Sequence, residues 1–177
     1  MNATQVALLR GINVGGVRIT SAELAAVFTE LGLTSVSTVL ATGNVCFSGA
    51  IEPATIERAL SERFGYSARV ILVEVSELAS LLTRTPFIED PERHRYVVFA
   101  DPTPDQTETW AGLVAWDAEG EDRVAGDPDG RVLWWSVPRG SSTTTPFAKA
   151  TARAGTRGLN ITTRNIGTLQ KILARAS

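Results

Sequence analysis

The chain holds one cysteine and one histidine among 177 residues. A single thiol excludes an intrachain disulfide. One Cys46 and one His94 cannot build a zinc centre of cysteine and histidine ligands without recruiting carboxylates. No metal and no cofactor is expected. Cys46 lies within the apolar run Val45-Cys46-Phe47, which reads as a buried thiol rather than a nucleophile. His94 stands between Arg93 and Arg95 and reads as a surface residue just ahead of a strand. Excess charge is also missing: the formal net charge is −2 and the sequence pI is about 5.5. General, charge-driven binding to nucleic acid needs a basic face, so this balance argues against it, though a local basic patch stays open. No apolar run approaches the roughly 18 residues of a membrane span. The start of the chain lacks the charged, apolar and small-residue segments of a signal peptide, so a cytoplasmic location is expected.

Apolar residues are plentiful, at 44%, enough for a substantial core. Val6 to Leu9 read as a buried strand. Thr20 and Glu23 form a capping box opening a helix whose Leu24, Val27, Phe28 and Leu31 make one apolar stripe, with Gly32 as its stop. Val36 to Leu40 and Val45 to Ser48 read as strands joined by a turn at Thr42-Gly43-Asn44. Pro53 opens a helix carrying Ile56, Leu60 and Phe64, stopped by Gly65. Ala68 to Val75 hold a fourth strand. Strand, helix, strand, strand, helix, strand is the split βαβ order of ferredoxin-like domains.

A linking helix with Leu78, Leu81 and Leu82 follows, and the order then repeats. Tyr96 to Phe99 form a strand, and a capping box at Thr103 and Gln106 opens a helix with Trp110, Leu113 and Val114 inward. Asp122 to Gly126 and Arg131 to Val137 make a hairpin. Thr145-Pro146 starts a helix to about Ala154, and Asn160 to Thr163 form a short strand. Asn165 caps a last helix with Ile166, Leu169, Ile172 and Leu173 inward. The expected class is α+β: two tandem ferredoxin-like subdomains, residues 1–88 and 89–177, with antiparallel sheets, helices on one face and a C-terminal helix.

Two segments carry candidate chemistry. Arg10-Gly11-Ile12-Asn13-Val14-Gly15-Gly16 follows the opening strand, where exposed backbone N–H groups and the Arg10 guanidinium could gather around an anion. It is neither a Walker motif nor a dinucleotide fingerprint, and a tight connection whose glycines take positive φ is the plainer reading. Thr162-Thr163-Arg164-Asn165 places two hydroxyls and a guanidinium at the start of the last helix, where an anion is favoured; ordinary capping by Asn165 is the alternative. Asn44 reads as a hairpin residue tolerating left-handed geometry, with a polar side chain that could also face a site. Of Trp134 and Trp135, adjacent in a strand, one must face the core and the other packs under a helix or lies exposed as a contact platform. Glu119, Glu121 and Asp122 read as a solvated loop rather than a metal cluster.

The segment Val6 to Gly16 resembles the opening signature of the bacterial family called domain of unknown function 1697. Thr38 to Phe47, with its Thr42-Gly43-Asn44-Val45 core, is similar to that family's second block, and Thr162-Thr163-Arg164-Asn165 to its third. Arg10, Asn13, Asn44, Arg164 and Asn165 match. Ala41-Thr42 stand where Gln-Ser is common, Ile166-Gly167-Thr168 where Trp-Asn-Thr is common, and Val17 where a basic residue often follows the double glycine. The resemblance implies two ferredoxin-like subdomains and no activity, because the family is uncharacterised.

Three functions stay open. The first is binding of a small anionic, phosphate-bearing ligand between subdomains, with Arg10 and Arg164 holding charge, Gly11, Gly15 and Gly16 lending backbone amides, and Asn13, Asn44 and Asn165 orienting the ligand. The second is a nucleic-acid-binding module, disfavoured by the acidic pI and by the lack of an aromatic ribonucleoprotein motif. The third is protein interaction or assembly through an edge strand or an exposed tryptophan. No nucleophile–base pair stands out, and whether the protein is an enzyme is left open.

Overall fold

A computed structural model of the chain describes residues 2–12, 18–40, 43–117, 120–126 and 130–177. Fifteen elements alternate along these residues, in a mixed α+β arrangement of two four-stranded antiparallel sheets and six α-helices. Residue contacts divide the chain into two compact units: 1–83 with 167–177, and 84–166.

In the first unit, β1 (Gln5–Arg10), α1 (Ser21–Glu30), β2 (Thr34–Thr38), β3 (Asn44–Ser48), α2 (Pro53–Phe64) and β4 (Arg69–Glu74) form a sheet of order β2-β3-β1-β4. β1 is a buried central strand because Val6 to Leu9 are apolar on both faces. Strand alternation sends Ala7 and Leu9, with Val45, Phe47 and Val70, into one core beneath Leu24, Val27 and Phe28 of α1 and Ile56 and Leu60 of α2. The Thr20–Glu23 capping box is formed as expected, and Gly32 and Gly65 take the left-handed backbone that ends α1 and α2. β2 begins two residues earlier than Val36, and a register shift between Thr34 and Ser37 breaks its pairing with β3.

The opposite face of this sheet carries Val6, Leu8, Asn44, Cys46, Ile71 and Val73, all buried. The chain's last helix, α6 (Ile166–Ala176), belongs to it. The Cys46 thiol lies 3.8 Å from the Ile172 carbonyl, and the Ala3 amide donates to Ala176 O at 3.0 Å. A connecting helix, α3 (Val75–Thr83), buries Leu78 and Leu81.

The second unit repeats the order with β5 (Arg93–Asp101), α4 (Thr107–Val114), β6 (Arg123–Gly126), β7 (Val132–Pro138), α5 (Pro146–Thr156) and β8 (Asn160–Asn165), in a sheet of order β6-β7-β5-β8. The Thr103 capping box opens a single 3₁₀ turn, Pro104–Gln106, before α4. Val98, Leu133, Trp135 and Ile161 share the helix-facing side with Trp110, Leu113, Phe147 and Ala154.

Trp135 takes the expected place in the core, and Trp134, under the Arg84 guanidinium, is buried too, which leaves out the alternative of an exposed contact platform. Two sequence expectations are corrected here. Asp122 is buried rather than solvated: its carboxylate accepts the Trp135 indole N–H at 2.8 Å and the Phe147 amide at 3.0 Å. β8 runs through Asn165, two residues past the expected end, so Thr162 to Asn165 are strand residues paired with β5. The extended preference of Ile161-Thr162-Thr163 and the ladder with Tyr96 to Asp101 outweigh the capping tendency of Asn165.

Candidate functional site

β1 ends at Arg10 and breaks at Gly11, whose φ of +80° is natural only to glycine. The hairpin joining β2 to β3 folds back onto this break. Leu9 N donates to Gly43 O at 2.8 Å. A Cβ on Gly43 would come within 3.0 Å of Leu9 Cβ and 3.2 Å of Ile12 Cδ1, so the missing side chain is what lets the two segments close. The end of the first sheet therefore brings together Arg10, Gly11, Ile12, Gly43 and Asn44, drawn from the two N-terminal motifs.

Asn44 does not take the left-handed backbone. Gly43 and Leu40 do, at φ of +77° and +58°. Asn44 is the first residue of β3, fully buried, and its amide nitrogen donates to Val39 O at 2.9 Å while Val39 N donates to Asn44 O. The side chain thus braces the hairpin from inside, beside Leu8 on the face opposite α1 and α2. Arg10 is half-buried at the strand end. Asn13, Gly15 and Gly16 lie outside the described residues, as does Thr42.

In the second unit Arg164 pairs with Val97, and Asn165 with Tyr96, on β8. The Arg164 guanidinium donates to Thr162 Oγ1 at 2.6 Å and Thr163 O at 3.0 Å. The residue retains some exposure, yet the protein packed round the guanidinium strips its hydration and pushes its pKa down to about 10. It stays charged at neutral pH, held in a poorly solvated place, as an anion-binding cation needs. The two candidate arginines thus belong to different units.

Two residues that sequence reading passed over lie at the end of the first sheet. Arg69 opens β4 directly opposite Arg10 in the antiparallel register. Tyr66, in the turn after α2, sets Cε2 4.0 Å from where a Gly11 Cβ would stand. Its hydroxyl is buried with no hydrogen-bond partner among the described residues, and burial pushes the phenol pKa up. Neither has a local signature. Arg69 looks like any charge flanking a strand, and Tyr66 like any residue after a helix-stopping glycine.

Elsewhere in the first unit, one cavity of about 340 Å³ is lined by Thr4, Gln5, Glu74 and Ser76, and another of about 350 Å³ by Glu30, Leu31, Glu62 and Arg63. Neither includes a candidate site residue. Among the described residues no cluster of three or more histidine, cysteine or acidic side chains could hold a metal ion. No helix there is long and apolar enough to cross a membrane.

No curated protein matches the chain. Among solved structures, the conserved bacterial protein SP0830 from Streptococcus pneumoniae is similar across 100% of both chains, at 22% identity and a TM-score of 0.76. That likeness speaks for the fold. The sequence profile described as "Protein of unknown function (DUF1697)" matches residues 2–131. This covers more than half of the chain, including both N-terminal motifs, and the chain belongs to that family.

Proposed function

We propose that this protein is a tandem of ferredoxin-like units, divided in sequence near residue 88, whose first unit binds a small anionic, phosphate-bearing ligand at the Arg10 end of its sheet. The matching strand orders, β2-β3-β1-β4 and β6-β7-β5-β8, support the tandem reading. The observation that carries the binding site is the closure of the Gly43 hairpin onto Leu9 and Ile12, beside the strand-ending Arg10. A guanidinium and a glycine with positive φ at a strand end suit the approach of phosphate oxygens to backbone amides. In this reading Gly11, Asn13, Gly15 and Gly16 line the anion, and Asn44 acts indirectly, by bracing the hairpin. Arg164 and Asn165 supply a second cationic position in the other unit, and the reading of the first unit does not depend on them.

Titration calorimetry with a panel of sugar phosphates and nucleoside phosphates tests this. A charge-assisted hydrogen bond contributes about 1.5–3 kcal/mol, so Arg10→Ala is expected to weaken binding about tenfold or more. If every phosphate in the panel binds the variant as tightly as the native protein, the site is misplaced. Arg164→Gln, alone and combined with Arg10→Ala, shows whether the second arginine acts on the same ligand: coupled losses say it does, additive or absent losses say it does not.

A further inference from the structure

Tyr66 lies in the turn between α2 and β4, three residues before Arg69, the cross-strand partner of Arg10 at the end of the β1–β4 ladder. The turn carries it past the end of the sheet, where β1 breaks at Gly11. Its ring packs against the first core, and Cε2 is 4.0 Å from where a Gly11 Cβ would stand. Glycine there, at φ +80°, puts no side chain between the strand end and the ring. Leu9 points into the core beneath the helices, so Arg10 leaves β1 on the other face. Tyr66 and Arg10 therefore approach the strand end from opposite sides. A phenylalanine would fill the same space, as Phe64 does two residues earlier against the same core. The Tyr66 hydroxyl instead is buried with no hydrogen-bond partner among the described residues, a costly state for a polar group. Packing does not account for it. A molecule that completes its hydrogen bonding does. Burial also pushes the phenol pKa up, so the group keeps its proton and acts as a donor at neutral and mildly alkaline pH. The residue as a whole keeps some exposure.

We propose that Tyr66 is a further binding residue of this site, its hydroxyl donating a hydrogen bond to an oxygen of the phosphate group bound beside Gly11. This rests on the anion-binding reading of the first unit. The ligand meets the hydroxyl from the helix side of the strand end and the Arg10 guanidinium from the other. The free protein carries the unmade hydrogen bond, and the ligand completes it. A site built to donate such a bond rejects ligands that present no acceptor to it.

The test compares the whole native chain, Arg10→Ala and Tyr66→Phe, with inorganic phosphate and pyrophosphate as probes. Affinity is read by calorimetry and folding by the thermal midpoint. The hydroxyl is read by the magnetic resonance of tyrosine Cζ in protein labelled at that carbon. The chain has two tyrosines, Tyr66 and Tyr96, so Tyr66→Phe assigns both signals. Tyr66→Phe should weaken probe binding about tenfold, as expected for a hydrogen bond to a charged group. Without ligand, its midpoint should equal or exceed that of the native chain, because the orphaned hydroxyl is gone and the ring remains. Saturating the native protein with probe should shift the Tyr66 signal and leave that of Tyr96 in place. If Arg10→Ala loses affinity while Tyr66→Phe binds as the native chain does, the Tyr66 inference fails and the anion site stands. A Tyr66 signal unmoved at saturation overturns the inference in the same way. If neither probe binds native protein, or neither variant weakens binding, both fall. A lowered midpoint for unliganded Tyr66→Phe would mean that the hydroxyl serves the fold, and would overturn the claim that it waits for a ligand.

Discussion

Gly43 shows how much one missing side chain decides. Its backbone sits at φ +77°, and a Cβ there would stand 3.0 Å from Leu9 Cβ and 3.2 Å from Ile12 Cδ1. Gly43→Ala therefore combines left-handed strain with a clash against two buried side chains. Gly11 has the same sign of φ, but its nearest outside atom, Tyr66 Cε2, lies a comfortable 4.0 Å from the added Cβ. Gly11→Ala pays for conformation alone, about 1 kcal/mol. Gly43→Ala is expected to cost clearly more, about 2–4 kcal/mol, when overpacking is added. Urea unfolding of both variants orders them; equal losses would show that the hairpin yields without resistance. Asn44, next along, explains why a polar residue tolerates complete burial: its amide bridges the hairpin to Val39 O, and an alanine there would leave that support unmade.

Elements whose signals are local were legible, and those fixed by distant partners were not. The capping boxes at Thr20 and Thr103, the stripe of α1 and the stop at Gly65 all lie within four residues of what they control, and each appears where the sequence places it. The end of β8 does not, because the pairing that extends it comes from β5, more than sixty positions earlier. Asp122 is the clearest such case. Its neighbours in sequence are polar, but its partners are the Trp135 indole and the Phe147 amide near the start of α5. The carboxylate thus links the entry to β6, the centre of β7 and the exposed N–H groups of a helix, where negative charge is favoured. Asparagine has one acceptor oxygen where the carboxylate uses two. Asp122→Asn must leave one donor facing an amide NH₂, at a cost of about 1–3 kcal/mol, more if charge matters. Chemical denaturation measures that loss, and a circular-dichroism spectrum of native shape confirms that the fold survives. A variant as stable as the native protein would show that the carboxylate adds nothing a neutral amide cannot. The candidate site divides in the same way. Arg10 and the glycines stand out in the chain, whereas Tyr66 comes beside Gly11 only in the folded chain, since nothing in sequence announces which residue a strand end will face.

At the scale of the whole chain, the helix made last serves the sheet made first. α6 groups with residues 1–83, and its Ile172 and Leu169 are fully buried. This long-range closure gives Cys46 its protection. The thiol is buried on the sheet face beside Ile172 O, and burial pushes its pKa above the ordinary value. The native state therefore holds the thiol proton more tightly than the unfolded chain does. The resulting stability is fully present below an unfolded thiol pKa of about 8.5, and is lost as pH rises through the higher native value. At pH 8 a thiol reagent should modify Cys46 far more slowly in the folded protein than in denaturant, because the native thiol is both shielded and protonated. Ile172→Ala removes packing from that cover at an expected cost of about 2–5 kcal/mol. Where labelling proceeds through opening of α6, about 2 kcal/mol corresponds to roughly thirtyfold faster modification. Phe147→Ala, a comparable cavity in the second unit, is the control: if the units open independently, it lowers overall stability and leaves the Cys46 rate near native. Equal acceleration by both variants would mean that the thiol is exposed only when the entire chain unfolds. No acceleration by Ile172→Ala would remove α6 as the guard of the first sheet.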